Sequence, residues 1–403
     1  MFGKLQLVIF AVLLYAYIFQ PFIGKYMYVG IEALIVLLFL LSRGYKRIFS
    51  TLKIEIILLS VLVAYSLFLD TISDEIVYTD RFAACLLQGT FMSYILTFYI
   101  QKNQYLRKNF ENVLVLIAVI GCSITLLMII NPSFNNLIQS FTPENEEFYD
   151  RFGEDRYRLY GLSENLSFTY PYVLAVVGYY AIIERESYIS IPLTLMVFVA
   201  IIFNARIGFI PLFLTAVYFL LFGKKNGKRY FLYPIVIVVL LFLIIVVFSE
   251  YRLFNNSWGL SFFDEIPGLL RGEESSTYDT LTGRMFFIPD QSIFDFLFGT
   301  GVSAYRLRGH NSDVGYVLQM YYGGLFLLLF ILALMFYMSR RIIKIAGKQH
   351  WFSLIYILSL FILNFKGFYF ASTPGFRFLS LLYVYYLMNG IRSKRVKMVA
   401  SAE

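Results

Sequence analysis

The sequence predicts an all-α, polytopic integral membrane protein with about twelve transmembrane helices and with both termini in the cytoplasm. Composition is the first observation: 59% of the 403 residues are hydrophobic and only 15% are charged, whereas soluble domains contain about 45–50% apolar and about 25% charged residues. The second is the repetition of apolar runs close to the length that crosses a bilayer. The third is the abundance of Phe (43) and Tyr (33), rings that suit many water–lipid interfaces.

The apolar runs define the predicted spans. A span needs roughly 20 apolar residues, and fewer when its ends snorkel. The second, third, seventh, eighth and eleventh runs are short, so one pair of them could be re-entrant. The first run is interpreted as a retained span because it lacks a small-residue cleavage site. The twelve predicted spans are 5–23, 27–42, 54–69, 82–100, 111–130, 166–183, 188–203, 207–222, 230–248, 314–338, 351–365 and 376–390.

The distribution of basic residues agrees with this count, because cytoplasmic loops of membrane proteins are enriched in Lys and Arg. With the N-terminus inside, most of the 34 basic residues fall in predicted inner loops, and every short inner loop holds at least one. Arginine dominates the outer face, which also carries most of the acids. Arginine retained there indicates bidentate recognition of phosphate or carboxylate. Pairing of arginines with acids within the loops is the alternative.

The chain is predicted to form a single membrane domain over residues 1–403. Two outer segments are long: residues 131–165, which include an acidic tract, and residues 249–313, the large outer loop. Within the large loop, stretches 257–270 and 284–298 mix aromatic residues with isolated acids and prolines, as is typical of helices lying on a membrane surface. No tandem repeat and no Walker-type or dinucleotide-type glycine motif occurs. The sequence also predicts no nucleic-acid partner.

Three outer arginines are candidates for anion binding. Arg206 lies between two short spans, so it is expected at the outer edge of the hydrocarbon, where an ionisable group is costly and often functional. Arg377 follows Pro374 and Gly375 at the start of the last span, where helix-start amides also attract an anion. Arg284 opens the second surface helix. The alternatives are snorkelling to the head groups for Arg206, a topology anchor for Arg377 and an exposed interfacial charge for Arg284.

His310 is the only histidine on the predicted outer face, and its neighbours are polar. An imidazole titrates near neutral pH and is suited to accept a proton from an attacking hydroxyl. Asp313 lies three residues on; it could orient His310, replace it as the base, or cap the following helix. One histidine without clustered acids makes a poor metal site, and Cys85 and Cys122 lie singly in apolar runs. The sequence therefore predicts no metal and no cofactor.

Several of these residues lie in motifs through which the chain resembles the bacterial O-antigen and capsule polymerases (Wzy-type), a family related to the O-antigen ligases. The order of the motifs and the large outer loop before the histidine carry the resemblance, while the first five spans match in hydropathy alone. The motifs are Arg158-Leu-Tyr-Gly-Leu, Asn204-Ala-Arg206-Ile-Gly, Gly283-Arg284, Phe298-Gly-Thr-Gly301, His310-Asn-Ser-Asp313 and Tyr322-Gly-Gly324.

The resemblance implies a membrane glycosyltransferase with a GT-C-like helical fold that acts without a metal. It would join two undecaprenyl-pyrophosphate-linked saccharides at the periplasmic face of the inner membrane, inverting the anomeric centre. His310 or Asp313 would activate the acceptor hydroxyl, and guanidinium groups would stabilise the charge that develops on the leaving pyrophosphate. The arginines implied in this role are Arg158, Arg206, Arg284 and Arg377.

Other functions remain open at this point. An O-antigen ligase, which transfers finished glycan to lipid A core, would show the same features. A secondary transporter or flippase with twelve spans is a further alternative, although carriers tend to have two similar halves and ionisable groups near the bilayer midplane. The expected partners are the lipid-linked donor and acceptor, membrane lipid, a chain-length regulator and a repeat-unit flippase.

Overall fold

The computed structural model describes this chain over 2–21, 48–140, 161–163, 169–185, 190–204, 206–211, 285–287, 292–303, 314–346, 350–367 and 374–400, together with 30, 33, 35–37, 39–41, 214, 312, 369 and 370. This part of the chain is helical and contains no β-strand. The predicted all-α fold is therefore confirmed for the described residues. Predicted span 230–248 lies wholly outside the described residues, and spans 27–42 and 207–222 lie partly outside them.

We number the helices in chain order, and the labels count helices and not membrane spans. Their bounds are α1 Phe2–Phe19, α2 Ile48–Ser73, α3 Thr79–Lys102, α4 Gln104–Lys108, α5 Phe110–Ile130, α6 Pro132–Ser140, α7 Thr169–Arg185, α8 Ser190–Ile202, α9 Ile293–Phe298, α10 Gly315–Ala346, α11 His350–Lys366 and α12 Pro374–Ala400. A 3-10 turn, Arg206–Gly208, follows α8. Within α3, residues Cys85–Met92 form a π-helical segment.

Four of these helices are long and apolar enough to cross a membrane: Ile48–Ser73, Thr79–Lys102, Phe110–Ile130 and Gly315–Lys344. They coincide with the third, fourth, fifth and tenth predicted spans. Their outward faces carry large exposed apolar side chains, such as Phe68 and Ile72 on α2, which lipid would cover. A membrane-embedded helical protein is thus supported, while the count of twelve spans and the cytoplasmic position of both termini stay predictions.

Local sequence explains several helix starts. Asn131 precedes α6, and its Oδ1 accepts a hydrogen bond from the Phe134 amide at 3.1 Å, as an N-cap side chain does. Pro132 then occupies the first helical position, where its missing N–H costs nothing. Ser292 caps α9 in the same way by accepting from the Asp295 amide at 3.1 Å. Helix α9 lies within the stretch 284–298 that the sequence predicts as a surface helix.

The chain folds as two compact units. Unit 1 comprises residues 1–28 and 105–275, and unit 2 comprises residues 29–104 and 276–403. Both are helical, and the predicted single membrane domain over residues 1–403 stays a prediction.

Unit 1 is built around α5, which packs against α1, α7 and α8. Gly121 in the middle of α5 allows the close approach, because a Cβ there would meet a Leu174 methyl group of α7 at 2.6 Å. The buried Tyr170 hydroxyl donates to the Gly121 carbonyl at 3.0 Å, and Tyr15 of α1 donates to the Leu162 carbonyl at 3.1 Å. The Tyr15 hydroxyl thus holds Leu162, the last residue of the Arg158 motif, to the helical core.

Unit 2 shows the helix directions that successive membrane crossings require. Glu55 near the start of α2 contacts Arg341 near the end of α10, and Asp70 near the end of α2 contacts Tyr322 near the start of α10. Helices α2 and α10 are therefore antiparallel. Helices α10 and α11 are antiparallel too, since Gln319 donates to Asn364 at 2.6 Å. These directions agree with the predicted alternation of spans.

Helix α12 occupies the centre of unit 2. Its side chains are buried on every face from Pro374 to Leu387, as expected for a helix that is apolar all round. It runs parallel to α3: Phe376 lies against Gly89, and Gln101 donates to Asn389 at 2.6 Å. The starts of α3 and α10 and the ends of α2 and α11 lie at one end of unit 2, whereas the start of α12 lies deeper, beside Gly89 in the middle of α3.

At the opposite end of unit 2, a buried carboxylate joins three helices. Glu55 of α2 is 3% exposed and accepts hydrogen bonds from Arg341 of α10 and from the hydroxyl of Tyr383 of α12. Arg341 also donates to the Thr51 carbonyl at 2.7 Å. Glu55 lines a cavity of about 20 Å³, and its Oε2 has no hydrogen-bond partner among the described residues.

We expect Glu55→Gln to destabilise the protein by about 3 kcal/mol, because removing one partner of a buried ion pair leaves the other charge uncompensated. Thermal unfolding of the detergent-solubilised protein would show this as a lower melting temperature. The double variant Glu55→Gln/Arg341→Met, which removes both charges, should recover most of the loss. A melting temperature unchanged by Glu55→Gln would mean that the ion pair does not stabilise the fold.

Candidate functional site

The candidate site begins at a break in α10. Gly324 has φ 65° and ψ −172° inside the helix, so the carbonyl groups of the preceding turn are released from the regular helical pattern. They are satisfied from other segments: the Tyr321 carbonyl accepts from the Thr300 amide at 3.1 Å, and the Tyr322 carbonyl accepts from the Gly301 amide at 2.9 Å. Irregular backbone in a membrane protein is tolerated where protein surrounds it in this way.

The segment Phe298–Gly301 fills this break, and its glycines make the fit possible. Gly299 and Gly301 have φ values of 85° and 72°, which residues with a Cβ rarely adopt. A Cβ on Gly299 would also lie 2.2 Å from the Tyr322 carbonyl oxygen. We call the contact of residues 298–301 with residues 321–324 the glycine clamp. It gives a structural reason for the Phe298-Gly-Thr-Gly301 and Tyr322-Gly-Gly324 motifs.

The glycine clamp ties together both ends of one stretch of chain. The Gly301 amide and the Tyr322 carbonyl are 2.9 Å apart, and the residues between them include His310 and Asp313. Tyr65 of α2 adds support, since its hydroxyl donates to the Phe298 carbonyl at 2.6 Å and to the Gly323 carbonyl at 3.1 Å. The segment that carries the predicted base thus begins and ends at one point in unit 2.

A buried acid lies directly below the glycine clamp. Asp70 is 5% exposed; its Oδ1 accepts from the Tyr322 hydroxyl at 2.6 Å, and its Oδ2 accepts from the Thr79 amide at 3.0 Å. A carboxylate at the first turn of α3 also interacts favourably with the helix dipole. The ring of Tyr78 packs edge-on against Tyr322 with centroids 4.6 Å apart. Burial raises the pKa of Tyr78, so this phenol stays neutral at physiological pH.

A hydrogen bond joins the two parts of the large loop that contain candidate residues. The Ser312 hydroxyl donates to the Met285 carbonyl at 2.6 Å and accepts from the Val314 amide at 3.1 Å. Met285 follows Arg284 in the sequence, and Ser312 and Val314 flank Asp313. The structure therefore brings the chain beside Arg284 to the chain beside Asp313.

The start of α10 also meets the turn between α11 and α12. A Cβ on Gly315 would lie 2.2 Å from the Asn364 carbonyl oxygen, so only glycine allows this approach. The turn continues into a ring cluster, in which Tyr369 and Phe370 pack against Phe376 with centroids 5.4 and 5.5 Å apart. The first turn of α12, which holds Arg377, follows this ring cluster, and its Phe376 also lines the cavity beside Glu55.

Arg377 is the predicted anion-binding residue that the structure describes most fully. It lies in the first turn of α12 and is 1% exposed. A cation at a helix N-terminus opposes the helix dipole, and burying a charged group is costly. Helix stability alone therefore gives no reason for an arginine at this position, and the placement is typical of a functional residue.

The other predicted site residues are described less fully. Arg206 begins the 3-10 turn Arg206–Gly208 of unit 1, which packs against α7 and α8; only its backbone is described. Arg158, Arg284, His310 and Asp313 lie outside the described residues, and their roles stay predictions. In the part of the chain that the structure describes, no three His, Cys, Asp or Glu side chains come together in an arrangement that would hold a metal ion.

Sequence reasoning missed Asp70, because the third span was predicted to end at Leu69. In the structure α2 continues to Ser73, so the acid lies inside the helix and not in a solvated loop. The sequence does show an isolated acid directly after an apolar run, but most acids in loops follow apolar runs in the same way. Its partner Tyr322 was assigned to a motif without a role.

No family model, no curated protein and no solved structure matches this chain. The resemblance to the polymerases therefore rests on the motifs quoted above. The convergence of segments in unit 2 is independent of that resemblance, because it follows from the hydrogen bonds and ring contacts of the described residues.

Proposed function

We propose that this protein is an O-antigen polymerase that joins undecaprenyl-pyrophosphate-linked repeat units at the periplasmic face of the inner membrane. One observation carries the proposal most directly. The chain next to Arg284 meets the chain next to Asp313, the two ends of the segment that holds His310 meet at the glycine clamp, and all of these lie in unit 2 together with the buried Arg377. These four residues come from widely separated motifs. The sequence predicts that Arg284 and Arg377 bind pyrophosphate and that His310 or Asp313 is the base.

The proposed reaction is a glycosyl transfer that needs no metal. The hydroxyl oxygen of the acceptor saccharide forms a bond to the anomeric carbon of the donor, and the bond from that carbon to the pyrophosphate oxygen breaks. The electron pair leaves with the lipid pyrophosphate, and His310 accepts the hydroxyl proton. Attack from the side opposite the pyrophosphate inverts the anomeric centre.

The arginines supply what this reaction requires, because a pyrophosphate leaves readily once its developing negative charge is stabilised. A preorganised donor is most effective where water is excluded, and the burial of Arg377 provides such surroundings. A guanidinium group also presents a planar fork of N–H groups to phosphate oxygens. Arg284 is the second arginine of unit 2 that is proposed to bind the pyrophosphate. For Arg158 and Arg206, a role in binding pyrophosphate stays a prediction that rests on the resemblance alone.

The proposal extends to location and partners. Pyrophosphate-linked saccharides already displayed on the outer leaflet would serve as both donor and acceptor, so the enzyme would use no nucleotide sugar and no cofactor. A repeat-unit flippase would supply these substrates, and a chain-length regulator would act on the product.

A strain that lacks this gene tests the proposal through the banding of its lipopolysaccharide on gels. We expect lipid A core that carries a single repeat unit, with the ladder of longer chains restored by a plasmid copy of the wild-type gene. Core without any glycan would instead show an O-antigen ligase. A normal ladder would contradict both transferase functions and favour the transporter class.

A further inference from the structure

Asp70 is a buried carboxylate to which the proposed reaction assigns no role. It lies in the last turn of α2 and is 5% exposed, in a helix that is otherwise strongly apolar. A buried charged group is costly unless hydrogen bonds compensate it. Well-packed apolar residues often stabilise a fold as well as buried ionic groups do, so stability alone is a weak reason for the acid.

Both oxygen atoms of Asp70 are committed to specific partners. Oδ2 accepts from the Thr79 amide at 3.0 Å, which fixes the start of α3 against the end of α2. Oδ1 accepts from the Tyr322 hydroxyl at 2.6 Å, a short bond as expected when the acceptor is charged. The Ser66 carbonyl oxygen lies 3.0 Å from the same hydroxyl. The carboxylate thus determines where the fully buried Tyr322 sits.

Tyr322 connects the acid to the glycine clamp. Its side chain points to Asp70, while its backbone carbonyl accepts the Gly301 amide at 2.9 Å. The neighbouring Tyr321 carbonyl holds both the amide and the hydroxyl of Thr300, at 3.1 and 3.0 Å. A displacement of Tyr322 would therefore move both ends of the segment that contains His310 and Asp313.

We propose that Asp70 is a positioning residue that holds together the two ends of the segment containing His310, through Tyr322 and the glycine clamp. The proposal rests on the proposed function, because it assigns the catalytic base to that segment. Asp70 itself contacts no substrate. Its effect is on the alignment of the base with the acceptor hydroxyl, and not on binding of the lipid pyrophosphate.

Steady-state kinetics of chain extension by the purified full-length protein test the proposal. The variants are Asp70→Asn, whose NH2 group can only donate where one carboxylate oxygen accepted, and Tyr322→Phe, which removes one hydroxyl. A misplacement of about 1 Å costs about a hundredfold in rate, so we expect kcat to fall by about tenfold to a hundredfold in each. KM for the lipid-linked donor should change by less than about twofold, because ground-state binding is retained.

The double variant Asp70→Asn/Tyr322→Phe should lose no more activity than the more damaging single variant, since the two residues act through one hydrogen bond. Glu55→Gln is the matched control, because it also removes the charge of a buried carboxylate of α2, at the other end of unit 2. We expect it to lower stability while leaving kcat within about twofold. Equal loss of kcat in Glu55→Gln and Asp70→Asn, or multiplicative losses in the double variant, would overturn the positioning role.

A labelling experiment that needs no activity separates this proposal from the proposed function. Ser303, two residues beyond the glycine clamp, is 7% exposed. A Ser303→Cys protein whose native Cys85 and Cys122 are replaced by alanine should react slowly with a water-soluble maleimide. Adding Asp70→Asn should speed labelling by about fivefold or more, because local opening exposes the thiol. An unchanged rate would contradict the dependence of the clamp on Asp70. If Asp70→Asn speeds labelling but the protein without this substitution extends no chains, the proposed function would be excluded. The role of Asp70 in holding the glycine clamp would still be supported.

Discussion

His310→Ala is expected to stop chain extension while the lipid-linked donor still binds. The imidazole is proposed to take the proton of the acceptor hydroxyl, and a general base contributes about 10²- to 10⁴-fold to the rate. A loss of that size would turn a polymer ladder into mostly single repeats. Donor binding should persist, because the arginines and not the imidazole hold the pyrophosphate.

The measurement is extension by purified His310→Ala protein supplied with lipid-linked repeat units, together with donor binding by the same sample. The control is His350→Ala, since His350 begins α11 at the end of unit 2 opposite the candidate site. This variant should extend chains at close to the wild-type rate. A full rate in His310→Ala would exclude the imidazole as the base, and the role would pass to Asp313, with Asp155 and Glu164 as more distant candidates.

Arg377→Lys is expected to abolish most polymerisation even though it preserves the positive charge. Lysine presents a point charge and not the planar fork that contacts two phosphate oxygens. Removing one preorganised donor from a developing oxyanion costs about 10²- to 10³-fold in kcat in other enzymes. Arg377→Ala should lose at least as much activity.

Because Arg377 is buried, the same samples need a stability measurement. We expect Arg377→Lys protein to be present in the membrane with a melting temperature close to that of the wild type, together with the loss of kcat. Arg340→Ala is the control, since Arg340 is an exposed arginine near the end of α10, and this variant should remain active. Near-normal activity of both Arg377→Lys and Arg377→Ala would identify Arg377 as a topology anchor.

Much of the fold could be predicted from the sequence, because hydropathy is a local property. An apolar run must form a helix in lipid to satisfy its own backbone. The predicted spans 111–130 and 351–365 accordingly match α5, Phe110–Ile130, and α11, His350–Lys366, within a residue at each end. The polar ends of the helices were predicted less well. Helices α2 and α12 extend past the predicted spans, because a helix continues beyond the hydrocarbon wherever protein contacts support it.

The candidate site could be predicted in part. Glycine pairs and a lone histidine in a polar loop are visible as residue types, so the Gly299-Thr-Gly301, His310 and Tyr322-Gly-Gly324 motifs were selected from the sequence. The burial of Arg377 was not predicted. A sequence shows that an arginine heads a span, whereas its exposure depends on the ring cluster of the preceding turn and on the helices around α12.

By itself, then, the sequence determined the all-helical class, most helix positions and the motifs that need glycine, because each depends on residues close together in the chain. Only the tertiary structure showed that α10 breaks at Gly324 and that residues 298–301 fill the break. It also showed that the Asp70 carboxylate accepts a hydrogen bond from the Tyr322 hydroxyl. Asp70 and Tyr322 are separated by 252 residues. No local pattern encodes such a contact, because it forms only when α2 packs against α10.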